Sequence, residues 1–344
     1  MLPEDELYYR VALTMVPGIG PRRHRQLLDH FSSAAAVFRS GLLPEFDNFK
    51  AVDRTFTFAR KHNIGIYCPG DPRYPAQLLE CSDAPPILYY KGIADLNHQR
   101  ILAVVGTRTP SSYGQQMVRS LVGELASCDV LIVSGLADGI DTWAHRAALD
   151  NGLPTVGVLG HGLQRIYPEG NRLLAASMLD KGGLLTEYRQ DQGPETFHFP
   201  MRNRIIAGMA VATVVVESRS QGGSLITAEL AKGYHREVFA LPGRVTDGRS
   251  QGCLALVRDN VAALVTGGAD IARMLGWETP TPKTKPVTSI HPLLDLLRDR
   301  DSIHLDELLE RTGLSSAELA ARLLELELEQ AIEALPGNRY RLIF

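Results

Sequence analysis

The pattern in this chain best suited to chemistry is an arginine beside a glycine turn at the end of a β-branched run, and that chemistry is phosphate binding. Gly106-Thr107-Arg108 follows ILAVV (101–105), and Ser134-Gly135-Leu136-Ala137-Asp138-Gly139-Ile140-Asp141 grows out of VLIVS (130–134). A glycine turn leaves backbone N–H groups pointing outward at a helix N-terminus, and a guanidinium beside it offers paired donors to an oxyanion. Asp141 reads first as the cap of the helix that follows. Gly160-His161-Gly162 comes after TVGVL (155–159) and is trailed by Arg165, Tyr167, Asn171 and Arg172. Gly222-Gly223-Ser224 comes after TVVVE (213–217). Arg202 and Arg204 flank Asn203 at the start of a helix. At helical spacing they point about 200° apart, so one is expected to face a ligand and the other to brace the fold.

Other chemistries fit less well. The dinucleotide fingerprint Gly-x-Gly-x-x-Gly is missing after the first core run, as is the lysine loop of P-loop nucleotidases, so no cofactor is expected. Cys68, Cys81, Cys128 and Cys253 are widely spaced and form neither a disulfide framework nor a zinc pattern. Gly222-Gly223-Ser224-Leu225-Ile226-Thr227-Ala228-Glu229 echoes the Gly-Gly-x-Gly-Thr-x-x-Glu loop of the lysine-decarboxylase-like nucleotide phosphoribohydrolases. In that reading Glu229 is the acid of a glycosidic cleavage; in the other, Gly223 and Ser224 hold a phosphate without turnover.

The elements that must position these residues follow from periodicity. From Ile64 to about Asp270, short β-branched runs alternate with helical stretches, which predicts an α/β core with a parallel sheet covered on both faces. LLTEY (184–188) and VFAL (238–241) complete the clear strands. The glycine turns then share the carboxyl edge of the sheet, where open α/β sheets bind ligands. Residues 1–62 read as a helical domain around Val16-Pro17-Gly18-Ile19-Gly20-Pro21, resembling a helix-hairpin-helix, with Arg22, Arg23 and Arg25 behind the turn. The core spans 63–279, and PTPKTKPVTS (280–289) reads as a linker. Residues 290–344 give three helices and two strands around Pro336-Gly337-Asn338, the order of a winged helix.

The 344 residues are 44% hydrophobic and 22% charged, a globular balance that excludes disorder for the bulk of the chain. No run of about 18 apolar residues and no basic leader is present, so a cytoplasmic protein without a membrane span is expected. The net charge of −3 conceals an asymmetry: residues 290–344 hold 6 Lys+Arg against 11 Asp+Glu, leaving 30 against 28 for the rest. A helix over 315–328 with Glu318, Glu325 and Glu327 against Arg322 is ill suited to a polyanion, so the winged helix is expected not to bind DNA directly.

Taken in order, the motifs resemble the DNA-processing protein A (DprA, or Smf) family. They are Asp71-Pro72-x-Tyr74-Pro75, Leu88-Tyr89-Tyr90-Lys91-Gly92, Val105-Gly106-Thr107-Arg108, Ser134-Gly135-x-Ala137-x-Gly139-Ile140-Asp141, Leu159-Gly160-His161-Gly162-Leu163 with Tyr167-Pro168, Phe199-Pro200-x-Arg202-Asn203-Arg204, and Gly223-Ser224-Leu225-Ile226-Thr227-Ala228. The resemblance implies an extended Rossmann core that forms a homodimer, binds and protects incoming single-stranded DNA during natural transformation, and helps load RecA, without catalysis. It carries DNA contact onto Arg108. Two departures matter: no lysine stands by Tyr167-Pro168-Glu169-Gly170-Asn171, which shifts a phosphate contact to Arg165 or Arg172, and Leu254 stands where the family has asparagine. Tyr167, Phe197 and Phe199 are the residues on which bases would stack. The phosphoribohydrolase and a pure protein-interaction scaffold remain the alternatives.

Overall fold

The computed structural model describes residues 4–43, 46–277, 292–298, 300, 302–328 and 331–342. The expected linker at 280–289 lies outside them. The chain divides into two compact units, Met1–Thr279 and Pro280–Phe344.

The first unit opens with α1 (Glu4–Leu13), α2 (Pro21–Phe31), α3 (Ala34–Arg39) and α4 (Phe49–Lys61). Gly18, at φ 78°, makes the turn before α2, and Pro21 starts that helix, where its missing N–H costs nothing. Arg22 and Arg23 are exposed, whereas Arg25 Nη2 donates to the carbonyls of Leu79 and Cys81 at 3.4 and 3.3 Å. This arginine ties the helical segment to the α/β part, and the two share one compact unit.

Then come β1 (Gly65–Tyr67), α5 (Ala76–Leu79), β2 (Leu88–Gly92), β3 (Ile101–Val105), α6 (Ser112–Glu124), β4 (Leu131–Ser134), α7 (Ile140–Asp150), β5 (Thr155–Val158), α8 (Arg172–Met178) and β6 (Gly183–Thr186). The unit closes with α9 (His198–Met209), β7 (Ala212–Val215), α10 (Gly223–Gly233), β8 (Glu237–Ala240), α11 (Gln251–Arg258), β9 (Ala263–Leu264) and α12 (Gly268–Met274). All nine strands form one sheet in the order β1-β2-β6-β5-β4-β3-β7-β8-β9.

The sheet is parallel from β6 to β9, but β1 and β2 add an antiparallel edge that the sequence pattern does not announce. Three residues of β1 and the mixed LYYKG of β2 carry too little periodicity to mark a strand.

Burial on both faces explains why the central strands read as continuous apolar runs. In β3, Ile101, Ala103 and Val105 pack with Ile205, Ile206 and Met209 of α9 and Ala228 of α10. Leu102 and Val104, pointing the other way, pack with Val118 and Leu121 of α6, Ala144 of α7 and Ile271 of α12. Each fully buried Leu or Ile contributes about 1.5–3 kcal/mol relative to exposure.

The second unit has the winged-helix order α13 (Pro292–Arg298), β10 (Ile303–His304), α14 (Leu305–Thr312), α15 (Ser316–Leu328), β11 (Ile332–Leu335) and β12 (Arg339–Leu342). The two-residue β10, which no sequence period marks, pairs with β12. Leu293, Leu297, Leu308, Leu319, Leu323 and Ile332 form its own core. Gly313, at φ 64°, ends α14. Ser315 starts α15 through a capping box: its Oγ accepts from Glu318 N, and its backbone N–H donates to Glu318 Oε2 at 3.1 Å. Among the described residues, no helix is long and apolar enough to cross a membrane.

Candidate nucleic-acid interface

Chain direction across the sheet reverses between β3 and β7: one half proceeds outward through β4, β5 and β6, the other through β7, β8 and β9. A crevice opens beyond the carboxyl ends of strands at such a point. Its walls are the loops after β3, β4 and β7, which are bonded together. Thr107 N–H donates to Glu217 O at 2.8 Å, and Ile140 N–H donates to Thr107 O at 3.1 Å. Glycine is required where they touch. Gly139 stands at φ 86°, and a Cβ there would lie 2.3 Å from Thr107 O.

On this edge Arg108 is exposed, its guanidinium carbon 5.6 Å from the centroid of the Phe199 ring. Phe199 in turn lies 5.7 Å from the Tyr167 ring. Tyr167 is 46% exposed and Phe197 61%, unusual for aromatic side chains in a folded protein. The result is a guanidinium followed by aromatic faces, the combination that a flexible strand of phosphates and bases can use.

His161 positions Tyr167. Tyr167 N–H donates to Nε2 of the buried imidazole at 3.2 Å, so Nε2 accepts, and Nδ1 carries the proton toward Gly162 O at 3.0 Å. Burial depresses the His161 pKa and keeps the ring neutral, as this pair of bonds requires. In the sequence His161 stands out only as part of a motif, since a histidine between glycines looks like loop filler until its two partners are known.

Several expected phosphate contacts are corrected by the structure. Arg202 and Arg204 are both inside, at 4% and 3% exposure, so neither is offered to a surface ligand. Arg202 Nη1 donates to the carbonyls of Gly135 and Val158, and Arg204 pairs with the buried carboxylate of Glu187. Angular separation on the helix is no guide here, because α9 is wrapped by the sheet on one side and by α5 and α10 on others, leaving no solvent side at these positions. Burial lowers the Arg202 pKa to about 10, which still leaves it charged at neutral pH.

Ser134 is buried, donating to Val104 O at 2.6 Å, and Asn171 Nδ2 donates to Leu136 O and Thr142 Oγ1. Gly135 lies under Arg202, where a Cβ would be 2.4 Å from Nη1, and Gly162 lies under Arg189 O. Ser224 is buried against Ser218 Oγ. These residues shape the edge from beneath. Gly106 is likewise a packing position, its absent Cβ making room for Ile140.

Two turns expected to cradle phosphate are already filled by carboxylates of the chain itself. Asp141 Oδ2 accepts the N–H groups of Gly135 and Ala137 at 3.1 and 3.4 Å. Glu217 sits at the start of α6, accepting Ser111 N–H at 2.9 Å and Ser111 Oγ–H. The turn into α10 differs: Gly222 caps it without a side chain, and nothing lies within 4 Å of where a Gly223 Cβ would be. Arg165 and Arg172 are exposed, in the segment that carries Tyr167. Arg219 after β7 and Arg244 after β8 are also exposed and lie outside the expected contacts, although Arg244 directly follows Gly243 at a strand end, the same glycine-beside-arginine signal that marks Arg108. Glu229 is exposed on α10.

A doubly wound α/β protein whose strand-end crevice carries arginine and aromatic side chains, joined in sequence to a winged helix, is the class that fold and site define. Residues 65–276 match the family model for DNA recombination-mediator protein A, and residues 278–338 match the DprA winged helix domain. The chain belongs to the DNA-processing protein A family, also called Smf. It is 30% identical to Protein Smf of Synechocystis, over 99% of this chain and 100% of that one. It resembles the structure of DNA processing protein A from Streptococcus pneumoniae with a TM-score of 0.68 and 34% identity, covering 79% of this chain and 98% of the other. A structure of the Helicobacter pylori protein, described for its single-stranded DNA binding mode, matches with a TM-score of 0.56 and 28% identity over 62% of this chain and 95% of that one.

Proposed function

We propose that this chain is a cytoplasmic recombination mediator that binds single-stranded DNA on the strand-end edge of its α/β unit, protects it, and passes it to RecA without turning it over. The observation that carries the reading is the series of exposed Arg108, half-buried Phe199 and exposed Tyr167 along the strand-end edge. Stacking of a base on such a ring is worth about 1–3 kcal/mol, and any base can do it, which suits binding without sequence preference. Membership of a recombination-mediator family supports the role. A homodimer would double the contacts on a long strand and gain affinity by local concentration.

Fluorescence anisotropy with single- and double-stranded oligonucleotides of equal length tests the reading. Single strands are expected to bind more tightly, with log affinity falling against log salt by about 0.7 per neutralised phosphate. Equal affinity for blunt duplex would sink it. The phosphoribohydrolase reading is tested in the same sample with AMP: no base release is expected from the native chain or from Glu229→Ala. Glu229 stands on an exposed helix surface, whereas glycosidic cleavage calls for an acid held in an enclosed site.

A further inference from the structure

On the outer surface of α6 and α7, one helical turn beyond the Arg108 loop, two arginines converge on a tryptophan. The guanidinium carbon of Arg119 lies 4.4 Å from the centroid of the Trp143 ring, and that of Arg146 lies 5.4 Å from it. Both arginines are exposed, and Trp143 is half-buried with one edge in the core beneath α6 and α7. Among the described residues, neither arginine has an ion pair or hydrogen bond. The two charges are no more than about 10 Å apart, one Debye length at about 0.1 M salt, so their repulsion is only partly screened.

Stacking on the ring offsets part of that cost. A carboxylate between the arginines would offset it fully, yet the charged residues of these helices that could serve are elsewhere. Glu124 is bonded to Ser120 and to Ala269 N–H at the far end of α6, and Asp150 ends α7. Asp141, in the first turn of α7, is turned inward to the Gly135 turn.

The cluster is continuous with the crevice. Ile140 N–H, at the start of α7, bonds to Thr107 O, and Gly139 packs against Arg108 itself. Trp143 follows one turn later, about 5 Å along the helix axis. The ring and its two guanidiniums thus stand within reach of a strand held at the Arg108 loop.

We propose that Arg119, Trp143 and Arg146 form a second subsite for single-stranded nucleic acid, in which Trp143 stacks a base and the two arginines hold the flanking phosphates. The inference rests on the single-strand reading above. It makes the site longer than the strand-end loops, extending down the α6–α7 face.

The chain has two tryptophans, so Trp277→Phe leaves Trp143 as the sole indole reporter. In that full-length variant, a long oligonucleotide of about 20 nucleotides should quench Trp143 emission, and one of about 5 should bind with little quenching. Arg119→Gln/Arg146→Gln should weaken the long oligonucleotide by about tenfold, within the range of one unstacked base, and leave the short one unchanged. The salt slope for the long strand should become shallower by about 0.7 for each phosphate that is no longer neutralised. Trp143→Phe, which keeps the packing, should cost less than the arginine pair.

A long strand that binds without quenching, or whose affinity ignores the arginine pair, overturns the subsite while leaving the strand-end reading intact. If neither oligonucleotide binds, the strand-end reading and the subsite both fall. Quenching by an acidic peptide but not by oligonucleotide would reassign the surface to a protein.

Discussion

The strand-end edge of the α/β unit and the winged helix of the second unit both place arginines beside a helix, and they use them differently. At the edge, Arg108 lies over an aromatic ring and is exposed, with no carboxylate attached among the described residues. In the winged helix, Arg341 pairs with Glu333, Arg300 and Arg311 share Glu307, and Arg339 donates to Ser302. Its third helix adds Glu318, Glu325 and Glu327. A polyanion meets available donors at the first surface and like charge at the second. Two folds that could each hold DNA are thus separated by how their cations are already engaged, not by topology.

Within the α/β unit the same contrast divides exposed arginines from buried ones, and it predicts the largest effect. Arg204→Ala leaves Glu187 buried without its partner, which should destabilise the unit by about 3–5 kcal/mol. Thermal or urea denaturation reads this directly; a variant that melts normally and only loses DNA affinity would show that Arg204 reaches the ligand after all. Arg108→Ala should do the reverse. It should weaken single-strand binding by about 1.5–3 kcal/mol, the worth of a hydrogen bond to a charged group, at an almost unchanged melting temperature.

Acid should separate the two units. Burial lowers His24 to about 4 and His145 to about 3, from 6.5 in the unfolded chain. Both are depressed, so nothing is lost above about pH 6.5, and stability falls as pH drops toward the folded values because only the unfolded state takes up the protons. At pH 5 each costs about 2 kcal/mol. The one described histidine of the second unit, His304, keeps 40% of its side-chain surface in solvent. Calorimetry between pH 7 and 5 should show the first unit's transition moving down and the second's hardly at all; parallel shifts would remove the distinction.

The smallest expected effect concerns the winged helix itself. A chain truncated after Gly276 should keep its single-strand affinity within a few-fold of the full chain, or gain slightly as the acidic segment is removed. A large loss would mean that the second unit makes contributions its charge does not suggest.

Much of this architecture is legible in the sequence, because strands buried on both faces must be apolar throughout and the turns between them must be glycine-rich. ILAVV, VLIVS and TVGVL mark β3, β4 and β5 within a residue or two, and the glycine turns fall at the carboxyl ends of those strands. β1, β2 and β10 are not legible, since strands of two to five residues with mixed character carry no period.

Composition and local spacing by themselves determined the α/β core, the acidic winged helix and the arginine-bearing turns, for those depend on neighbours a few residues away. Tertiary structure alone decided which arginines remain available. Arg108 and Arg202 look equally able to hold a phosphate in the sequence, yet Arg202 meets carbonyls contributed by the ends of β4 and β5, dozens of residues distant, while Arg108 meets a ring from α9 and then solvent. A guanidinium binds whatever acceptor the fold brings first, and sequence spacing holds no record of that encounter.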